Sequence, residues 1–175
     1  MLLFDFGHTA VKHGLAIYRD GALVGVQRRP SRPPPCEVGW PEHTGPHWAQ
    51  QRWERMADAI AAAWAAEIAT GRGARVAVGL CLASHLQDGH PVGQDRGCYT
   101  ILQELGPHLA TFVRDDLAAR LGSFRSLALL HDGLAAASTR AGEPHTVVLT
   151  LGTAIGAGYP LGEVELRPVR LRAGG

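Results

Sequence analysis

Asp5-Phe6-Gly7-His8-Thr9, with Lys12 just beyond, closes the apolar run Leu2-Leu3-Phe4 and precedes a second apolar stretch, Val11 to Tyr18. The pattern reads as strand, tight turn, strand. Such a turn brings backbone N–H groups and a carboxylate to one point. The N–H groups of Gly7, His8 and Thr9, with Lys12, suit phosphate oxygens, and Asp5 suits Mg²⁺, directly or through water. Asp-x-Gly at a hairpin is also ordinary turn chemistry. The pattern gains weight from a second run, Leu151-Gly152-Thr153-Ala154-Ile155-Gly156-Ala157-Gly158, which again follows a strand-like segment. Asp132 adds a third group. It follows an apolar run and opens a helical pattern, a position that serves a general base or a helix cap.

Other polar residues carry less chemistry. His85 and His90, with Asp88 between them, match no metal-ligand template. Ser84-His85 lacks the Gly-x-Ser-x-Gly setting of a hydrolase nucleophile. Arg28, Arg29 and Arg32 beside Pro33-Pro34-Pro35 read as a solvated loop. Cys36, Cys81 and Cys98 are an odd set with no C-x-x-C pair, so neither a disulfide framework nor a zinc ribbon is expected. Cys81, inside an apolar run, reads as a small core residue.

The elements that must position these groups follow from periodicity. Met1–Phe6, Ala10–Tyr18 and Ala22–Gln27 read as a three-stranded antiparallel meander, with Arg19-Asp20-Gly21 as a hairpin turn. The segment from Arg28 to Pro46 holds six prolines and reads as a long loop, with Trp40 pinning it. In Trp48–Thr70, Trp53, Met56, Ala57, Ile60, Trp64 and Ile68 recur at helical spacing, and Gly71 and Gly73 are the expected stop. Arg75–Ala83 reads as a buried strand parallel to the first, because a helix intervenes. Ser84 to Gly97 is polar loop. Pro107–Leu121 reads as an amphipathic helix with the proline in its first turn. Ser126–Leu130 is a strand, 132–141 a helix, Thr146–Leu151 a strand and Glu163–Leu171 a half-exposed strand.

Composition bounds the class. The chain has 175 residues, 46% hydrophobic and 19% charged, with a formal net charge of +1. That is room for one sizeable core, and near-neutrality offers no electrostatic case for nucleic acid. No signal-peptide pattern opens the sequence. No apolar stretch approaches the roughly 18 residues of a membrane span. A cytoplasmic protein, with no membrane partner, is expected.

The ordered motifs resemble the sugar kinase/Hsp70/actin superfamily, and within it the repressor, open reading frame, kinase (ROK) family. Asp5-Phe6-Gly7-His8-Thr9-Ala10-Val11-Lys12 is similar to that family's first phosphate motif. Val76-Ala77-Val78-Gly79-Leu80 with Asp88-Gly89 resembles its strand and loop before the sugar site. Asp132 with Ala135-Ala136-Ala137 resembles its catalytic segment, and Leu151 to Gly156 its second phosphate motif. The resemblance spans roughly residues 1–160. His8 replaces a usual glycine, and His131 a usual asparagine.

The resemblance implies an α/β fold: a ribonuclease H-like (actin-like ATPase) lobe over residues 1–145, whose mixed sheet opens with the meander and is flanked by helices. Residues 146–175 would begin a truncated second lobe. It implies an ATP-binding transferase of carbohydrate metabolism that moves a phosphoryl group from Mg-ATP to a sugar hydroxyl. Asp132 would be the catalytic base and Asp5 the magnesium ligand. Gly7, His8, Thr9, Lys12, Gly152, Thr153 and Gly156 would hold phosphate, and His131, Asp88 and Gly89 substrate. The family's Gly-Glu-x-Gly-His stretch, zinc site and adenosine pocket have no counterpart here. A second copy or a partner chain is therefore expected to cover the truncated edge. A non-catalytic sugar-binding or regulatory domain of the same fold is the alternative. Type III pantothenate kinases, which also open with Asp-x-Gly-x-Thr, are another.

Overall fold

The computed structural model describes residues 1–20, 22–35, 45–68, 73–84, 86–87, 90–91, 98–140, 143, 146–151 and 155–158. They fall in two compact units, one ending at Asp132 and the other beginning at Gly133.

The first unit is built on a mixed five-stranded sheet. Strands β1 (Leu2–Phe6), β2 (Val11–Arg19) and β3 (Ala22–Arg28) form the expected antiparallel meander. Helix α1 (Pro46–Glu67) then leads to β4 (Ala77–Leu82), which lies parallel to β1. Two short paired segments, β5 (Leu86–Gln87) and β6 (His90–Pro91), precede a 3₁₀ helix over Thr100–Leu105 and α2 (Leu109–Leu121). Strand β7 (Ser126–His131) lies parallel to β4, giving the order β3-β2-β1-β4-β7. The architecture is α/β, with a mixed sheet and helices packed on it.

Alternation sorts the sheet's residues between its faces. Leu2, Phe4 and Phe6 of β1 are buried with Val78, Leu80 and Leu82 of β4, directly beside them in register. Trp53, Met56, Ala57, Ile60 and Trp64 of α1 and Leu109, Val113 and Leu117 of α2 join the same core. Both helices therefore cover one face. Leu3, Asp5, Gly79 and Cys81 point to the other.

Several boundaries differ from the periodicity reading. Helix α1 stops at Glu67 rather than at Gly71, because Ile68 turns extended (φ −106, ψ 110) while its N–H still reaches the Trp64 carbonyl. Pro107 lies outside the first turn of α2, whose N-cap is His108. Arg75 belongs to a 3₁₀ turn, Gly73–Arg75, before β4. Arg29 is not a solvated loop residue. Its guanidinium makes two bonds to the Glu67 carboxylate at the end of α1, one of them Nη2–Oε2 at 2.6 Å. Cys98 is disulfide-bonded, against the expectation for the cysteines, and Cys81 is free.

The second unit holds most of α3 (Asp132–Ala137), a 3₁₀ turn over Ser138–Arg140, and an antiparallel pair, β8 (Val148–Leu151) and β9 (Ile155–Gly158). Part of the second glycine/threonine run is thus strand rather than loop, with Gly156 opposite Thr150. An added Cβ at Gly158 would sit 2.0 Å from the Gly133 carbonyl oxygen, so β9 packs backbone to backbone on the start of α3. Trp40, His85, Asp88, Gly89, Gly152, Thr153 and the 163–171 strand lie outside the described residues. Among the described residues, no helix is long and apolar enough to cross a membrane.

Candidate functional site

The parallel strands set the site. Phe6 pairs with Leu82 and Leu82 with His131, so β1, β4 and β7 finish in line at one edge of the sheet. Whatever follows each strand emerges there: the 7–10 turn after β1, Ala83-Ser84 after β4, and Asp132 after β7. In open α/β sheets that edge is where ligands bind. Asp5 stands one residue before it, in a register row that reads Lys12, Asp5, Cys81, Leu130 across four strands.

Asp5 and Lys12 form an exposed ion pair at 3.2 Å, with side-chain exposures of 41% and 69%. Such a pair is weakly held, and both groups stay free to turn to a ligand. Beyond β7, His131 Nε2 lies 3.0 Å from Asp132 Oδ1. Cys81 is the register partner of Asp5 on one side and of Leu130 on the other. Burial first, then Asp5, then Asp132, push its pKa up to about 12. Lys12 opposes that rise.

The 7–10 turn is held from behind. Its Gly7 N–H donates to the Ala10 carbonyl at 3.1 Å and is spent on closing the turn. Tyr99, fully buried, donates its hydroxyl to the Gly7 carbonyl at 3.0 Å. The Cys98 N–H donates to His8 Nε2 at 3.2 Å, and the His8 ring stacks on Tyr99. Arg52 of α1 in turn donates to the Cys98 carbonyl at 2.7 Å. Ser84 and Thr100, both buried, share a hydrogen bond of 3.0 Å that ties the end of β4 to the same segment. The His8 side chain is thus part of the scaffold. The N–H groups of His8 and Thr9 have no backbone acceptor among the described residues.

These braces were not read from the sequence. Tyr99, Cys98 and Arg52 lie at least 46 residues from their partners, as the Arg52–Cys98 bond shows at the short end. The one available signal was a tyrosine beside a cysteine in an otherwise polar stretch. Of the expected site residues, Asp5, Gly7, His8, Thr9, Lys12, His131 and Asp132 gather at the edge of the first unit where the strands end. Gly156 belongs to the second unit's strand pair.

No group of three or more His, Cys, Asp or Glu side chains among the described residues is placed to hold a metal ion. Magnesium asks for less: one or two carboxylates, with water and phosphate oxygens completing its shell. Asp5, the carboxylate expected to hold it, is partly exposed and paired with Lys12. No protein-family model matches the chain, and no curated protein or solved structure matches it either.

Proposed function

We propose that this chain is a sugar-kinase-like protein that binds Mg-ATP and passes its terminal phosphoryl group to a carbohydrate hydroxyl. The observation that carries the reading is that Asp5 and Asp132 stand at one edge of the sheet, where the parallel strands β1 and β7 end on either side of β4. The strand order, with β2 the one reversed strand, supports a ribonuclease H-like lobe.

Phosphoryl transfer needs positioning and charge neutralisation more than covalent chemistry. The N–H groups of His8 and Thr9, in a turn that Tyr99 braces, donate to phosphate oxygens. Lys12 leaves Asp5 for the same phosphates. Asp5 holds the magnesium ion, which would neutralise phosphate charge when bound. Asp132 takes the proton from the attacking hydroxyl, while His131 orients its carboxylate. Gly152, Thr153, Gly156, Asp88 and Gly89 enter this reading through the sequence resemblance alone.

Calorimetric titration with Mg-ATP and with a panel of hexoses tests this. The kinase reading expects nucleotide binding that is lost in Asp5→Ala, and hexose-dependent ADP release that is lost in Asp132→Asn. Hexose binding without nucleotide binding would replace it with the regulatory reading. Binding of neither would end both.

A further inference from the structure

Cys98 is disulfide-bonded, and Cys81 is free. The Cys98 bridge stands in a setting that a purely structural disulfide does not need. Cys98 is only 4% exposed, yet a cation touches its sulfur. Arg52 Nη1 lies 2.9 Å from Sγ and donates to the Cys98 carbonyl at 2.7 Å. The same charge reaches Tyr99, where it works against burial on the phenol's ionisation. A guanidinium gains little from a neutral sulfur, which is a weak acceptor. To a thiolate it gives a charge-assisted hydrogen bond, and it lowers the pKa of the thiol that reduction would create. Cys81 is the contrast: burial, then Asp5 and Asp132, hold that thiol protonated.

The polar groups of Cys98 also bear on the 7–10 turn. Its N–H donates to His8 Nε2 at 3.2 Å, and its carbonyl is held by Arg52. The next residue, Tyr99, donates to the Gly7 carbonyl. Arg52 from α1, His8 from the turn and Tyr99 are thus the charged or titratable groups that face this cysteine among the described residues.

We propose that the Cys98 bridge is a redox-sensitive latch on the 7–10 turn, opened by a dithiol reductant, with Arg52 stabilising the sulfur that leaves. Cys98 is buried, so the incoming thiolate attacks the other sulfur of the bridge. The S–S bond breaks, its electron pair stays on Cys98 Sγ, and a mixed disulfide forms. The reductant's second thiol displaces that mixed disulfide and closes a disulfide of its own. Two electrons pass from the reductant to the bridge. The other cysteine keeps one of the dithiol's two protons. The second goes to water, because Cys98 stays a thiolate beside Arg52. That thiolate competes with the Cys98 carbonyl for the Arg52 Nη1 protons. The backbone at Cys98 loses one hold with the bridge and a second as Arg52 turns, and the 3.2 Å bond to His8 is the next to yield. Weaker phosphate binding by the loosened turn rests on the function proposed above; the loosening itself does not.

Hydrogen exchange on the oxidised and the dithiol-reduced protein, both without ligand, tests the latch. Reduction should speed amide exchange at residues 7–9 by about tenfold or more and leave the β1 and β4 amides unchanged. In the reduced protein, the ultraviolet absorbance of a thiolate should appear below the ordinary thiol pKa of about 8.5. Arg52→Gln should move that titration back up and slow reduction of the bridge by about threefold to tenfold, whereas Arg52→Lys, which keeps the charge, should slow it less. Mg-ATP titration of both forms separates the two readings. A turn that loosens on reduction in a protein that binds no nucleotide in either form upholds the latch and removes the kinase. Exchange at residues 7–9 that ignores reduction overturns the proposal. So does reduction that speeds β1 and β4 equally, which would make the bridge a staple of the whole unit, and so does a reduction rate indifferent to Arg52→Gln.

Discussion

Cys81 touches the candidate site without belonging to its chemistry, which makes it a reporter. A thiol whose pKa is raised to about 12 is protonated and a poor nucleophile at neutral pH. Alkylation of the folded protein at pH 8 should therefore be slow, and should become fast on unfolding. Under denaturing, non-reducing conditions the label should reach Cys81 and spare Cys98. The carboxylates can be tested through the same atom. Burial is the largest cause of the shift, Asp5 the second and Asp132 the third. Asp5→Asn should speed alkylation, and Asp132→Asn should speed it less. If Asp132→Asn leaves the rate unchanged while Asp5→Asn raises it, Asp132 does not face the Asp5 side of the sheet, and the general-base assignment falls with it.

Among the elements, the 98–105 segment decides whether the 7–10 turn is rigid. Tyr99→Phe keeps the packing against Phe6 and removes only the hydroxyl that donates to the Gly7 carbonyl. The expected loss is about 1–2 kcal/mol in urea unfolding, the cost of leaving a half-buried carbonyl unpaired. A neutral result would mean water replaces the hydroxyl and the brace is not needed. In the second unit, Gly158→Ala should cost about 1–3 kcal/mol, because the new methyl meets a backbone oxygen that has nowhere to go. The sequence made the sheet's strands legible, since alternation and turn chemistry are local. Helix α1 was legible through its tryptophan and alanine stripe. Its end was not, because an isoleucine in extended conformation, rather than a glycine, stops it. Asp5 and Asp132 could be picked out by the strands they end. Tyr99 and Arg52 could not: their roles exist only once distant segments meet, and no periodicity marks them.

For the whole molecule, groups on the two faces of the sheet bound the pH range of stability. His13 lies on the core face, stacked on Phe4, with its Nδ1 sealed from water and unpartnered among the described residues. Burial first, then the charges of Arg32 and Arg29 against that of Glu67, lower its pKa from 6.5. An unfolded chain then takes up the proton more readily than the folded one, so this stability is complete above pH 6.5 and is lost as pH falls below it. The Met1 amino group, lowered from 8.0 by burial, adds to the loss from below pH 8.0. Glu67, lowered from 4.5 by its bond to Arg29, adds a later one. On the alkaline side the sign reverses. Cys81, on the other face, ionises near 9.0 when unfolded and near 12 when folded, so its contribution is complete below pH 9.0 and is lost as pH rises. Tyr99, raised from 10.0 mainly by burial, follows. Urea midpoints measured across pH should therefore trace a plateau with two limbs. His13→Phe, which keeps a ring against Phe4, should flatten the acid limb near 6.5 and leave the alkaline limb alone. Cys81→Ala should do the reverse above 9.0. An alkaline limb that survives Cys81→Ala intact would show that burial and the nearby carboxylates do not shift this thiol enough to set it.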